Sequence, residues 1–126
     1  MKIVLWVHVL MLFMYGCDMI GRPDETEKFI PGIYIRFSQH EFGIEHDTLV
    51  ISVQNKLADE YKIVRKWKYE RMLDGIKIEP EYRRQTTTAY YNSEHRLLTE
   101  KNTGTVYSFD IARNLLFNGP VKYKKT

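Results

Sequence analysis

An all-β fold, an antiparallel meander of about eight strands, is what this 126-residue chain predicts, and three observations carry it. From Pro31 onward polar and apolar residues alternate with period two, in runs rich in Ile, Val, Thr, Tyr and Phe. Asn, Asp and Gly cut those runs at roughly 8–12-residue spacing, which suits consecutive antiparallel pairing rather than crossovers of about a dozen residues or more. Residues 31–126 are enough for one small domain with a single core.

The chain opens on a different pattern. A lone Lys2 precedes a largely apolar run from Ile3 to Met14, broken only by His8, and Tyr15-Gly16-Cys17 follows. That order is the signature of a bacterial lipoprotein signal, with residues 1–16 a helical signal peptide and Cys17 the acylated first residue of the mature chain. A helix of roughly 14 residues spans about 21 Å, short of the ~30 Å hydrocarbon core. Continuing it would carry Asp18, Arg22 and Asp24 toward the bilayer, where ionised groups are costly. Cleavage before Cys17 removes the conflict, and Gly16 supplies the small residue that processing requires. Met14 and Tyr15 depart from the usual Leu and small residue at those places. Cys17 is the only cysteine, so no internal disulfide can form, and acylation would leave no free thiol.

Residues 17–30 read as the lipidated cysteine and an acidic, flexible tether, with Asp18, Asp24, Glu25 and Glu27 against Arg22 and Lys28. Residues 31–126 form the single β-domain and carry 16 basic against 12 acidic residues. Loss of Lys2 with the signal lowers the net charge from +3 to +2, too mild an excess to imply nucleic acid, and export argues against that partner as well.

Within the domain, Ile33, Ile35 and Phe37 share one face of a first strand, with Tyr34 and Arg36 on the other. Leu49, Ile51 and Val53 repeat the pattern, and Gln54-Asn55-Lys56 turns the chain. The third run is the longest: Tyr61, Ile63, Trp67 and Tyr69 lie on one face, Lys62, Lys66 and Lys68 on the other. Leu73-Asp74-Gly75 closes a hairpin, because Asp-Gly accepts positive φ. Strands then follow over residues 82–91, 96–100, 106–111, 115–117 and 121–125, separated by turns at Asn92-Ser93-Glu94, Asn102-Thr103-Gly104, Asn114 and Asn118-Gly119-Pro120. Two stretches are ambiguous, 54–61 and 110–115. Leu57, Tyr61 and Val64 stand at i, i+4, i+7, so a helical turn could replace part of the third strand. Eight sequential strands suit a small lipocalin-like barrel or a strongly curved open sheet, and closure would remove the exposed edges.

Few residues suggest chemistry. His40-Glu41 and Glu45-His46-Asp47 offer metal-ligand types within eight residues, but their spacing matches no metal motif, and a hairpin loop is where such residues are ordinarily solvated. His40 and His46 are the only metal candidates. Lys66-Trp67-Lys68-Tyr69, with Lys62, Arg65, Arg71 and Arg83-Arg84 nearby, could form a basic and aromatic surface for a ligand or partner. Strand parity sets the aromatics opposite the lysines, which favours Trp67 and Tyr69 in the core. Nine tyrosines could line a ligand cavity. The sequence has no nucleophile elbow, Cys–His arrangement or cofactor motif, so no enzyme activity and no cofactor are expected.

The leader ending Tyr15-Gly16-Cys17, the acidic tether, and the stretches PGIYIRFSQHEFGIEHDTLVIS, KWKYERMLDG, TGTVYSFD and LLFNGPVKY resemble small uncharacterised lipoproteins of Bacteroidota, some of which accompany conjugative elements. The resemblance spans most of the chain and carries no catalytic or binding positions. It implies an accessory protein of the bacterial cell envelope, linked to a conjugative transfer system. The expectation is a non-catalytic domain held at the inner or outer membrane by its lipid, in the periplasm or at the cell surface, binding another envelope protein. The alternative is a lipocalin-like carrier of a small apolar ligand, which a void lined by Tyr61, Trp67 and Tyr107 would favour.

Overall fold

The computed structural model describes residues 24–126; the expected signal peptide, Cys17 and the first part of the tether lie outside the described residues. A short helix, α1 (Glu25–Phe29), precedes nine strands: β1 (Gly32–His40), β2 (Gly43–Asn55), β3 (Glu60–Leu73), β4 (Ile76–Lys77), β5 (Glu81–Asn92), β6 (Leu97–Glu100), β7 (Val106–Asp110), β8 (Leu115–Asn118) and β9 (Val121–Lys125). Each strand pairs antiparallel with the next, except that β4 is a spur on β3 and β5 pairs with β3 instead. β9 returns to β1 through Tyr34↔Lys125 and Ile35↔Lys124. The eight strands other than β4 therefore form a closed up-and-down barrel, and the open-sheet alternative is set aside.

These eight are the strands that alternation predicts, with differences at their ends. β1 and β2 pair without interruption from Gly32↔Ile51 to His40↔Gly43. The connecting turn is thus only Glu41-Phe42, and Glu45, His46 and Asp47, expected in a loop, are strand residues. No helical turn forms at Leu57. The chain reverses over residues 56–59 with Asp59 at φ 50°, and β3 begins at Glu60. At the Asp74-Gly75 turn both φ values are positive, 50° and 78°, as a two-residue hairpin requires. β4, which that turn leads into, was not expected.

The barrel wall is uneven. β1, β2, β3 and β5 run 9 to 14 residues, whereas β6 to β9 run only four or five. β5 meets β6 only over residues 89–92, and β1 meets β9 only at Tyr34 and Ile35. The far halves of the long strands therefore stand above the short wall as a four-stranded apron with a concave inner face.

Below the apron the interior is closed and apolar, built from Tyr34, Leu49, Ile51, Tyr61, Ile63, Ala89, Tyr91, Leu98, Tyr107, Leu116 and Tyr123. Helix α1 plugs this end. Asp24 caps it by accepting from the Thr26 amide at 2.9 Å, Glu25 and Glu27 sit in the first turn, and Thr26 and Ile30 are buried. The Tyr34 hydroxyl donates at 2.9 Å toward the Phe29 and Ile30 carbonyls, Lys125 Nζ donates to the Phe29 carbonyl, and the Tyr91 hydroxyl donates to Asp24. Burial works against the Asp24 charge, but the hydrogen bonds from Tyr91 and Thr26, with Arg96 nearby, hold its carboxyl below the usual range. Residues 24–30, expected as the end of the tether, thus pack into the base of the barrel.

β1 presents an unexpected face to this core. Tyr34 is fully buried, while Ile33, Ile35 and Phe37 are 46%, 45% and 60% exposed on the outside. Tyr34 lies opposite Leu49 on β2 and is long enough to reach the plug, where its hydroxyl satisfies carbonyls at the helix end. Ile35→Thr should change stability by no more than about 0.5 kcal/mol, whereas Tyr34→Ala should cost about 3 kcal/mol or more, both read by urea denaturation. Equal costs would mean that the faces are assigned the wrong way round.

Candidate functional site

Strand parity carries one row of side chains up the concave face of β3: Tyr61 and Ile63 in the closed core, then Arg65, Trp67, Tyr69 and Arg71 along the apron. Their cross-strand neighbours on the same face are Leu49, Asp47, Glu45 and Gly43 from β2, and Gln85, Arg83 and Glu81 from β5. The interior therefore changes character at Arg65. Below it the barrel is sealed and apolar; above it, open and polar.

A buried ionic layer marks the change. Asp47, 2% exposed, receives Arg65 Nε at 3.0 Å and Arg65 Nη2 at 2.7 Å, and also the Tyr123 hydroxyl at 2.7 Å. The fork links β2 to β3, and the phenol adds β9, two strands from β2 around the wall. The bonds from Asp47 outweigh burial and keep Arg65 protonated far above its ordinary range. Beside it, Glu100 accepts from the Tyr107 hydroxyl at 2.6 Å and from Thr103 Oγ1. Burial, then the neighbouring carboxylates, push the Tyr107 and Tyr123 phenols up, so both remain donors. Among the described residues, no buried side-chain nitrogen or oxygen lacks a partner.

Above this floor the apron carries an aromatic column. Trp67 and Tyr69 stack at 5.5 Å with 15° between planes, and His40 stacks on Tyr69 at 6.0 Å and 26°. Gly43 makes room for it: a Cβ there would come within 2.9 Å of the Tyr69 ring and closer still to the Glu70 carbonyl. Guanidiniums flank the column, Arg83 5.4 Å from the Trp67 ring centre and Arg71 5.6 Å from that of Tyr69. A cleft of about 710 Å³ opens here, lined by Arg65, Trp67, Arg83, Arg84 and Gln85. A smaller cavity of about 120 Å³ shares Arg65 and Gln85 and reaches Glu100, Tyr107 and Asn118.

The residues singled out from sequence divide between faces. Trp67 and Tyr69 face the cleft half-buried rather than filling the core, while Lys66 and Lys68 lie on the outer face, where Lys68 pairs with Glu70 at 2.9 Å. His40 joins the aromatic column, whereas His46 packs edge-on against Phe37 outside, its Nε2 4.0 Å from Glu70. The two histidines do not converge, and among the described residues no group of three His, Cys, Asp or Glu is placed to hold a metal ion. Of the three residues proposed to line a void, Trp67 lines the cleft, Tyr107 is a core residue that also borders the smaller cavity, and Tyr61 belongs to the buried core. The sequence offers Asp47 only as one of the metal-ligand types between His40 and Asp47, and it does not single out Gln85 as a site residue. Parity alone places Arg65 and Arg71 with Trp67 and Tyr69, and extending β2 by that rule would have brought Asp47 opposite Trp67.

Set against family models, curated proteins and solved structures, the chain matches none.

Removing Arg65 leaves a buried carboxylate with Tyr123 as its remaining donor, while removing Asp47 leaves a guanidinium that is 46% exposed and can reach water. Arg65→Met should therefore cost about 3 kcal/mol or more in urea denaturation at neutral pH, and Asp47→Asn distinctly less. The reverse order would show that Asp47 is not the more deeply committed partner.

Proposed function

We propose that this is a non-catalytic binding module of the bacterial envelope, anchored through Cys17, whose open barrel mouth receives a small polar ligand. The carrying observation is the division of one barrel into a plugged apolar base and an open cleft with an aromatic and arginine wall. Its volume, about 710 Å³, falls in the ~300–1,000 Å³ range of small-molecule sites. This keeps the carrier reading and changes its cargo. An apolar ligand would have to desolvate Arg65, Arg83 and Gln85 without replacing their hydrogen bonds, whereas a polar ligand would replace them.

The envelope-protein reading is supported by a different feature, the outward row of Ile33, Ile35 and Phe37. It is the second reading, because a row of single side chains supplies no pocket for an anchor residue.

Two measurements check the proposal. Cys17→Ala should abolish acylation and move the protein from the membrane to the soluble fraction; membrane retention of the variant with unchanged mass would count against the anchor. Native mass spectrometry of protein released gently from its own membranes should show a bound small molecule that Trp67→Leu loses and Ile35→Thr keeps. Loss through Ile35→Thr instead would move the binding site to the outer face.

A further inference from the structure

Charge on the concave face does not balance, and the imbalance is confined to the cleft. Higher on the apron, Arg36 lies 4.0 Å from Glu45 and Arg71 lies 3.4 Å from Glu81, so these charges are matched. In the cleft, two guanidiniums, Arg65 and Arg83, meet a single carboxylate, Asp47, while Arg84, the cross-strand partner of Lys66, belongs to the outer face and borders the cleft only at its edge. Among the described residues, Arg83 and Arg84 have no carboxylate within 4.0 Å. Asp47 takes Nε and Nη2 of Arg65, and among the described residues Nη1 has no protein acceptor, on a guanidinium that borders the cleft. Arg83 rests against the Trp67 ring, which limits its rotamers while leaving the N–H edge of the guanidinium free.

We infer that the cleft is an anion site: it takes a small organic molecule that joins an oxyanion group, carboxylate, sulfonate or phosphate, to a flat ring. The inference rests on reading the mouth as a binding site and adds the chemistry of its ligand. The oxyanion accepts from Arg83 and from Arg65 Nη1, and the ring lies along the aromatic column at Trp67. Two features favour a ring-bearing anion over a bare inorganic ion. The cleft is several times larger than such an ion needs, and its one large apolar surface is aromatic. Gln85, shared with the smaller cavity, supplies a neutral donor and acceptor for the rest of the molecule.

The test is calorimetric titration of the full chain in nanodiscs of zwitterionic lipid, with empty nanodiscs as the blank. The probes are naphthalene-1-sulfonate and its near-isosteric neutral counterpart, naphthalene-1-sulfonamide. The sulfonate should bind about tenfold or more tightly than the sulfonamide, a difference that Arg83→Gln and high salt each remove. Benzoate and phenyl phosphate, competed against the sulfonate with benzamide as the neutral control, separate carboxylate from phosphate preference. Equal binding of both probes, weakened by Trp67→Leu but not by Arg83→Gln, would overturn the anion assignment and leave the mouth a binding site. No binding of either probe, or binding indifferent to Trp67→Leu, would overturn both.

Discussion

The rest of the structure depends on the half-buried contact between Asp47 and Arg65. It joins β2 to β3 by a two-pronged ion pair, and Tyr123 brings in β9, two strands from β2 around the wall. A pair with one buried partner is a weak source of net stability compared with apolar packing, since desolvation offsets the attraction. Its larger effect is on specificity. A one-residue slip that turns Arg65 to the outer face would leave Asp47 buried without its counter-charge, so the pair favours the native register. That register also sets the row of Arg65, Trp67 and Tyr69 along the concave face.

Two halves with different physical logic meet at this layer. The base uses tyrosine as its principal core residue, a choice that makes sense in a narrow barrel: the ring supplies apolar volume while the hydroxyl reaches a fixed acceptor. Tyr34 ends on the helix carbonyls, Tyr91 on Asp24, Tyr107 on Glu100 and Tyr123 on Asp47. The first two fasten the plug, and the last two form the floor of the mouth. The mouth follows from strand length, because four long strands cannot be matched by four short ones, and the excess becomes a wall that no strand among the described residues faces.

Much of this was legible in the chain. The eight barrel strands, their order and the Asp74-Gly75 turn followed from period-two alternation and turn chemistry, which are local properties. The opposition of Trp67 and Tyr69 to Lys66 and Lys68 followed from parity in the same way. Three features were not legible. Glu25–Phe29 reads as polar tether because only Thr26 and Phe29 within it and Ile30 after it meet the core, too few for a periodic signal. β2 begins six residues earlier than its apolar run at Leu49, because the strand continues where one face is wet and the other is ionic. Ile33, Ile35 and Phe37 form the more apolar face of β1, yet they point outward.

By itself, then, the sequence determined the all-β class, the number and succession of the barrel strands, and the two faces of each strand, since all of these arise from residues within a few positions of one another. Only the tertiary structure decided which face of β1 is inside, that the meander closes, and that Asp47 and Arg65, 18 residues apart, share a buried layer. Alternation divides a strand into two faces without saying which one meets the core. That choice belongs to the strands across the barrel and to the plug beneath them, and here the carbonyls at the end of α1 select Tyr34 over its more apolar neighbours.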